Sequence, residues 1–287
     1  MKASNALRLL AELSAGQWGL FTAAQAADRG VSRVTLARLV DAEQLVRLAH
    51  GVYRDAGVPP DQFEDLRTAW LSIYPQLRAE QRLQRGSLES TPASGTSAAT
   101  LHGIGDQYVG RFEFTTPVRR QSQRPELRYR IRELDPVDVT IKEGLPVTTL
   151  ERTIADLVEE RYDLSNVAIA VHDADRQRPL DETRMVELLG PLAARNGLRR
   201  GDGAALWKRL TELAGIDPGS TVAKVAADDL LGRLIASKYL AAHGITLEEL
   251  LSRPLRNSDD PAVQRALLRE VAHSSALGRT AETLRDA

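Results

Sequence analysis

The chain of 287 residues is 43% hydrophobic and 27% charged, and its 38 basic against 39 acidic side chains give a formal net charge of −1. That composition fits a soluble globular protein of about two domains and excludes a globally basic nucleic-acid coat, so any polyanion site must be a local patch. Cysteine is absent, which excludes a disulfide framework, thiol catalysis and cysteine-ligated zinc.

No apolar run reaches the roughly 20 residues needed to cross a bilayer, so no membrane partner is expected. Residues 1–16 carry Glu12 inside their apolar stretch. They predict an amphipathic helix with Leu7, Leu10 and Leu13 on one face, rather than a signal peptide, and a cytoplasmic protein is expected. Thr22 can cap a helix over 22–29, closed by Gly30, where a positive φ costs glycine nothing. Ser32 can then cap a second helix over 33–44. Two helices joined by a short glycine turn are the helix-turn-helix pattern.

Helical angles place Leu36, Leu39 and Val40 of the second helix against a core. The opposite side holds Val34, Arg38 and Asp41, flanked by Thr35 and Ala37. An outward valine beside a small alanine suits thymine methyl groups, and Arg38 can reach a guanine edge. Arg33, in the first turn, can swing to a phosphate. Two short β runs around Gly51, from Leu45 to Arg54, then form a wing, with Arg47, His50 and Arg54 available to a duplex backbone. This head carries seven basic and five acidic residues. One copy should therefore bind DNA weakly, since phosphate contacts supply much of the affinity.

Pro59 and Pro60 mark a boundary, giving a winged-helix domain at 1–57 and a second domain at 61–287. Asp61 can cap a helix bearing Phe63, Leu66, Trp70 and Tyr74, ended by Pro75. Residues 86–97 read as a turn-rich loop and 98–102 as a short helix. Phe112 and Phe114, then 127–131 and 137–141, alternate as β strands. Arg128, Arg130 and Arg132 fall on one face of the 127–131 strand, opposite Tyr129 and Ile131. They read first as an ordinary exposed sheet face, and alternatively as a secondary basic surface for DNA or RNA. Thr148 can cap the next helix, with Glu151 reaching back as a capping box. Leu150, Ile154, Leu157 and Val158 form its buried stripe, and Arg152 with Asp156 an i,i+4 pair. From Thr149 the pattern is helical, over 149–160, 165–176, 181–195, 202–214, 221–243 and 261–286. The fold class is thus α+β: a winged helix-turn-helix, a mixed region over 61–160, and a mainly helical region over 161–287.

Enzyme signatures are weak. Asp135, Asp138, Lys142 and Glu143 are close in sequence but lack the Glu-x-Lys element of a metal nuclease. His172 and Asp175 share a helical face without a third ligand, and His102 reads as a helix-end residue. No P-loop, Gly-x-Ser-x-Gly elbow or His-Glu-x-x-His occurs. No catalytic residue, metal or cofactor is expected.

Three segments together resemble AbiEi-type antitoxins of bacterial type IV toxin–antitoxin pairs. They are Val31–Leu36 with Arg47–Tyr53, Ser97–Ile104, and Gly144–Leu157, in consistent order within residues 5–160. The resemblance implies a non-enzymatic antitoxin and autorepressor, with operator DNA bearing inverted repeats and a cognate nucleotidyltransferase toxin as partners. Residues expected at the DNA are Ser32, Arg33, Val34, Thr35, Ala37, Arg38, Arg47, His50 and Arg54. The alternatives are a winged-helix docking module without DNA affinity and, less favoured, a DNA nuclease.

Overall fold

The computed structural model describes residues 2–84, 90–106, 110–119, 124–160 and 162–217. The helices expected over 221–243 and 261–286 lie outside them. The chain divides into two compact units, Met1–Trp207 and Lys208–Ala287.

The first unit begins with α1 (Ala3–Ser14), β1 (Leu20–Thr22), α2 (Ala23–Asp28), α3 (Arg33–Asp41), β2 (Leu45–Ala49) and β3 (Val52–Asp55). The three strands form an antiparallel sheet in the order β1-β3-β2. This is a winged helix-turn-helix, with a two-residue turn at His50–Gly51 as the wing tip. The caps explain the helix starts. Thr22 accepts from the Gln25 amide while Gln25 reaches back to the Thr22 amide, a reciprocal capping box. Ser32 accepts from the Thr35 amide at 3.2 Å. Gly30 adopts φ +78° between the two helices, which any Cβ would resist. Leu10, Leu13, Phe21, Val31, Leu36 and Leu39 form the head's own core, and Phe21 stacks on Tyr53 at 5.8 Å.

Next come α4 (Glu64–Ile73), α5 (Ala79–Arg82), α6 (Gly95–His102), β4 (Phe112–Thr116), β5 (Leu127–Ile131), β6 (Val139–Lys142) and β7 (Leu145–Thr148). Helix α6 starts at Gly95, three residues earlier than the apolar pattern suggests. β4 and β5 pair in parallel, whereas β6 and β7 form an antiparallel hairpin. Its turn residues Glu143 and Gly144 have φ +52° and +76°, the handedness that matches strand twist. Ala93 bridges Phe114 on one side and Val147 on the other, so residues 92–94 join the two ladders. Leu66, Trp70, Leu101, Phe114, Leu145 and Val147 pack there, together with Leu20 from the head.

The helices α7 (Leu150–Glu159), α8 (Leu164–Gln177) and α9 (Glu182–Leu189) follow, then a 3-10 stretch at Gly190–Asn196 and α10 (Gly203–Ala214). α7 packs against α6, α8 and α9. Leu150, Ile154, Leu157 and Val158 are all buried, and Arg152 pairs with Asp156 at 2.9 Å, as the sequence predicts. The cap differs from expectation. Thr149 accepts from the Arg152 amide, while Thr148 is buried and shares a hydroxyl bond with Thr153. Glu151 does not reach back to a cap; it takes both Arg178 amino groups and the Asp181 amide. The reason is register: Thr148 belongs to β7, so the helix can begin only one residue later.

The proline pair at 59–60 sits inside the first unit. The Thr22 hydroxyl donates to the Pro75 carbonyl, Gln25 donates to the Leu77 carbonyl at 2.7 Å, and Gln17 accepts from the Ala79 amide at 2.8 Å. The prolines thus lie in a connection across which the head and the following residues make hydrogen bonds.

Candidate nucleic-acid interface

The core-facing side of α3 fixes what the other side displays. Leu36 and Leu39 are buried and Val40 packs at the edge of the head's core, so Arg33, Val34, Ala37 and Arg38 are left exposed. Val34 is 61% exposed. A single exposed valine is ordinary on a protein surface; what sets Val34 apart is its place beside Ala37 and the helix arginines, where a thymine methyl group could meet it. Thr35 is half-buried, and its hydroxyl lies 3.0 Å from that of Ser32. Those two side chains hold each other and fix the helix start, so Ser32 acts as a positioning residue.

α3 packs on β2, and the wing rises beside it. Arg47 and His50 are exposed, with an Arg47 amino group 3.4 Å from His50 Nδ1. Among the described residues no carboxylate pairs with Arg33, Arg38 or Arg47. Three unneutralised guanidiniums therefore flank an apolar strip, the charge pattern that a phosphate-lined groove would meet. Arg54 departs from its expected place. Its side chain is 11% exposed and pairs with Glu64 at 3.2 Å, so α4 holds it away from the wing surface. Sequence spacing shows β alternation but not which helix will lie behind the strand.

Arg124 is a further group near the wing: it donates to the His50 carbonyl at 3.0 Å. Its long separation in sequence hides this contact, although the residue falls within the arginine-rich stretch 111–132.

The strand arginines do share one face, yet they do not form a free basic surface. Arg128 pairs with Glu113 at 2.9 Å and Glu160 at 2.7 Å. Arg130 meets Glu159 at 2.6 Å and Glu160 at 2.7 Å, and Arg132 meets Asp156 at 2.7 Å. The acidic end of α7 neutralises the stripe. Burial works against the Arg132 charge, but Glu159 and Asp156 outweigh it and raise its pKa. The expectation of a secondary basic surface is therefore corrected: α7 brings its carboxylates across the strand face, which the strand's own pattern does not reveal.

Of the carboxylates weighed for nuclease chemistry, Asp135 and Asp138 are engaged elsewhere. Asp138 takes a two-pronged bond from Arg184, at 2.9 and 2.7 Å. Asp135 caps the short 3-10 turn at Pro136–Asp138, and the backbone carbonyl of Glu143 accepts from Arg67. Beside His172 on α8, Asp173 accepts from the Gly105 amide at 2.9 Å. His102 closes α6 and donates from Nε2 to the Thr148 carbonyl at 2.7 Å. Burial pushes its pKa below the ordinary histidine range, and nearby Lys142 and Arg178 lower it further against the effect of that hydrogen bond. Among the described residues no three metal-ligating side chains converge, and no helix is long and apolar enough to cross a membrane.

Residues 8–54 match the family model described as a transcriptional regulator, AbiEi antitoxin. No curated protein matches the chain. The matched stretch runs from the first helix through the wing, so the likeness to AbiEi antitoxin regulators is carried by the winged head.

Proposed function

We propose that the protein is a DNA-binding antitoxin that represses its own operon and counteracts a co-expressed nucleotidyltransferase toxin of the type IV class. The observation that carries the DNA reading is the exposed face of α3, with Val34 61% exposed between arginines that have no carboxylate partner among the described residues. Val34, Ala37 and Arg38 read base edges, with Thr35 at the rim. Arg33, Arg47 and His50 hold phosphates, and Ser32 sets the helix start. The two-fold arrangement implied by an inverted-repeat operator would double the few contacts that one head can make. The antidote role rests on the family match of the head and on the resemblance of the two downstream segments.

A mobility-shift titration on the DNA upstream of the gene tests the regulator reading. Binding should weaken as salt rises, because each phosphate contact releases counterions. Arg38→Ala should cost about 1–3 kcal/mol and relax the preference for one base position. A docking module would show no salt-dependent shift, and that result overturns the regulator reading. Co-expression with a nucleotidyltransferase encoded beside it tests the antidote role: growth should be restored by the full chain and should survive Arg38→Ala.

A further inference from the structure

A cleft of about 320 Å³ opens where β6, the start of α7 and the end of α8 meet, and no residue of α3 lines it. Its volume lies at the low end of the range for small-molecule sites. The lining is unbalanced in charge. Lys142 and Arg178 contribute cations, and none of the lining residues is acidic. Arg178 is neutralised from behind by Glu151, at 2.7 and 2.8 Å. Lys142 is not: its ammonium donates to the His102 carbonyl at 3.2 Å, and among the described residues it pairs with no carboxylate.

The hydrogen-bonding inventory points the same way. The His102 carbonyl already accepts from Gln177 at 2.8 Å as well as from Lys142. A lysine ammonium has three donors and no acceptor, so two remain for something else. The Thr140 and Thr149 hydroxyls also line the cleft, while Ile141 and Leu150 supply apolar wall. A half-buried ammonium lacking a counter-ion, beside hydroxyls and a hydrocarbon wall, is the complement of a small organic anion.

We propose that this cleft binds a small anion, a carboxylate or phosphate monoester, with Lys142 as its counter-ion. The occupant would lie against β6, whose final residue, Lys142, leads into the Glu143–Gly144 turn. That turn meets both α4 and the head: Arg67 of α4 donates to the Glu143 carbonyl at 2.9 Å, and a Cβ on Gly144 would come within 2.8 Å of the ring of Trp18 in the head. The site does not depend on DNA binding, and its test uses no DNA.

Calorimetric titration of the full chain with inorganic phosphate and, separately, with acetate provides the test, with sodium chloride at matched ionic strength as the reference. Saturable binding of either anion is expected, and the tighter of the two names the head group. Lys142→Gln keeps a donor for the His102 carbonyl while removing the charge, and should weaken binding at least tenfold. Gln177→Leu serves as a second variant should that protein fold poorly, with a smaller loss expected. Absence of saturation with both anions, or equal binding by folded Lys142→Gln, overturns the proposal. Either outcome leaves the α3 reading untouched, because mobility shifts report on a different surface.

Discussion

Asp156 is fully buried and faces Arg152 at 2.9 Å and Arg132 at 2.7 Å. Replacing it with asparagine keeps the volume but leaves the Arg152 charge, itself mostly buried, without its counter-ion. Removing one partner of a buried pair costs about 3–5 kcal/mol. Urea unfolding of Asp156→Asn should show a loss of that size, and a loss under 1 kcal/mol would mean that water reaches the site. His102 gives a pH signature instead. Burial lowers its folded-state pKa, so below the unfolded value of about 6.5 the unfolded chain binds more protons than the native one. Stability should therefore fall as pH drops below about 6.5, and the fall should end once pH passes the folded value. His102→Gln can still donate to the Thr148 carbonyl and should flatten that part of the curve. Glu151, held below the usual carboxylate range by Arg178 and the Asp181 amide despite burial, adds a second loss that begins below about pH 4.3.

At the scale of elements, short-range chemistry was readable and long-range pairing was not. Thr22, Ser32 and Gly30 announce the helix-turn-helix because caps and a positive φ are local requirements. Ser32→Ala should cost about 1 kcal/mol in a thermal or urea melt, and should weaken DNA binding through disorder at the start of α3. The parallel pairing of β4 with β5 and the bridge at Ala93 depend on segments that the chain brings together only after folding, so period-2 patterns predict the strands but not their order. The same limit explains the arginine stripe. Its alternation along 127–131 is visible in the sequence, whereas the α7 carboxylates opposite it come from 24 to 32 residues away. Arg54 follows the same logic, since Glu64 belongs to a helix beyond the proline pair. The hairpin turn is one element sensitive to a single change. Gly144 has φ +76° and lies so close to Trp18 that a Cβ would stand 2.8 Å from its Nε1. Gly144→Ala combines backbone strain with a clash, and should destabilise by about 1–3 kcal/mol.

For the molecule as a whole, the question is whether the winged head is an independent body. A proline pair conventionally suggests that it is, yet the contacts across it argue otherwise. Leu20 of β1 lies in the second core beside Trp70. Trp18 meets Trp70 edge-on at 6.1 Å and has the Arg67 guanidinium 5.0 Å above its ring. A fragment ending at residue 58 would expose Leu20, worth about 1.5–3 kcal/mol when buried as it is here, would strip the half-buried Trp18 of its ring contacts, and would lose the backbone bonds made by Gln17, Thr22 and Gln25. A unit of that size buries only about 60% of its unfolded surface and has little margin to lose. We therefore expect fragment 1–58 to melt well below the full chain and without a sharp transition by circular dichroism. Its DNA affinity should fall although every residue of α3 and the wing is retained. A fragment that melts cooperatively at the temperature of the full chain would show the head to be self-sufficient. The Trp18 contacts would then fasten two stable parts together rather than complete one. If the fragment does fail, truncation and docking experiments on the head alone would report its instability rather than its chemistry. Substitutions of Arg33, Arg38 and Arg47 must then be compared in the full chain, where the surface they share keeps its support.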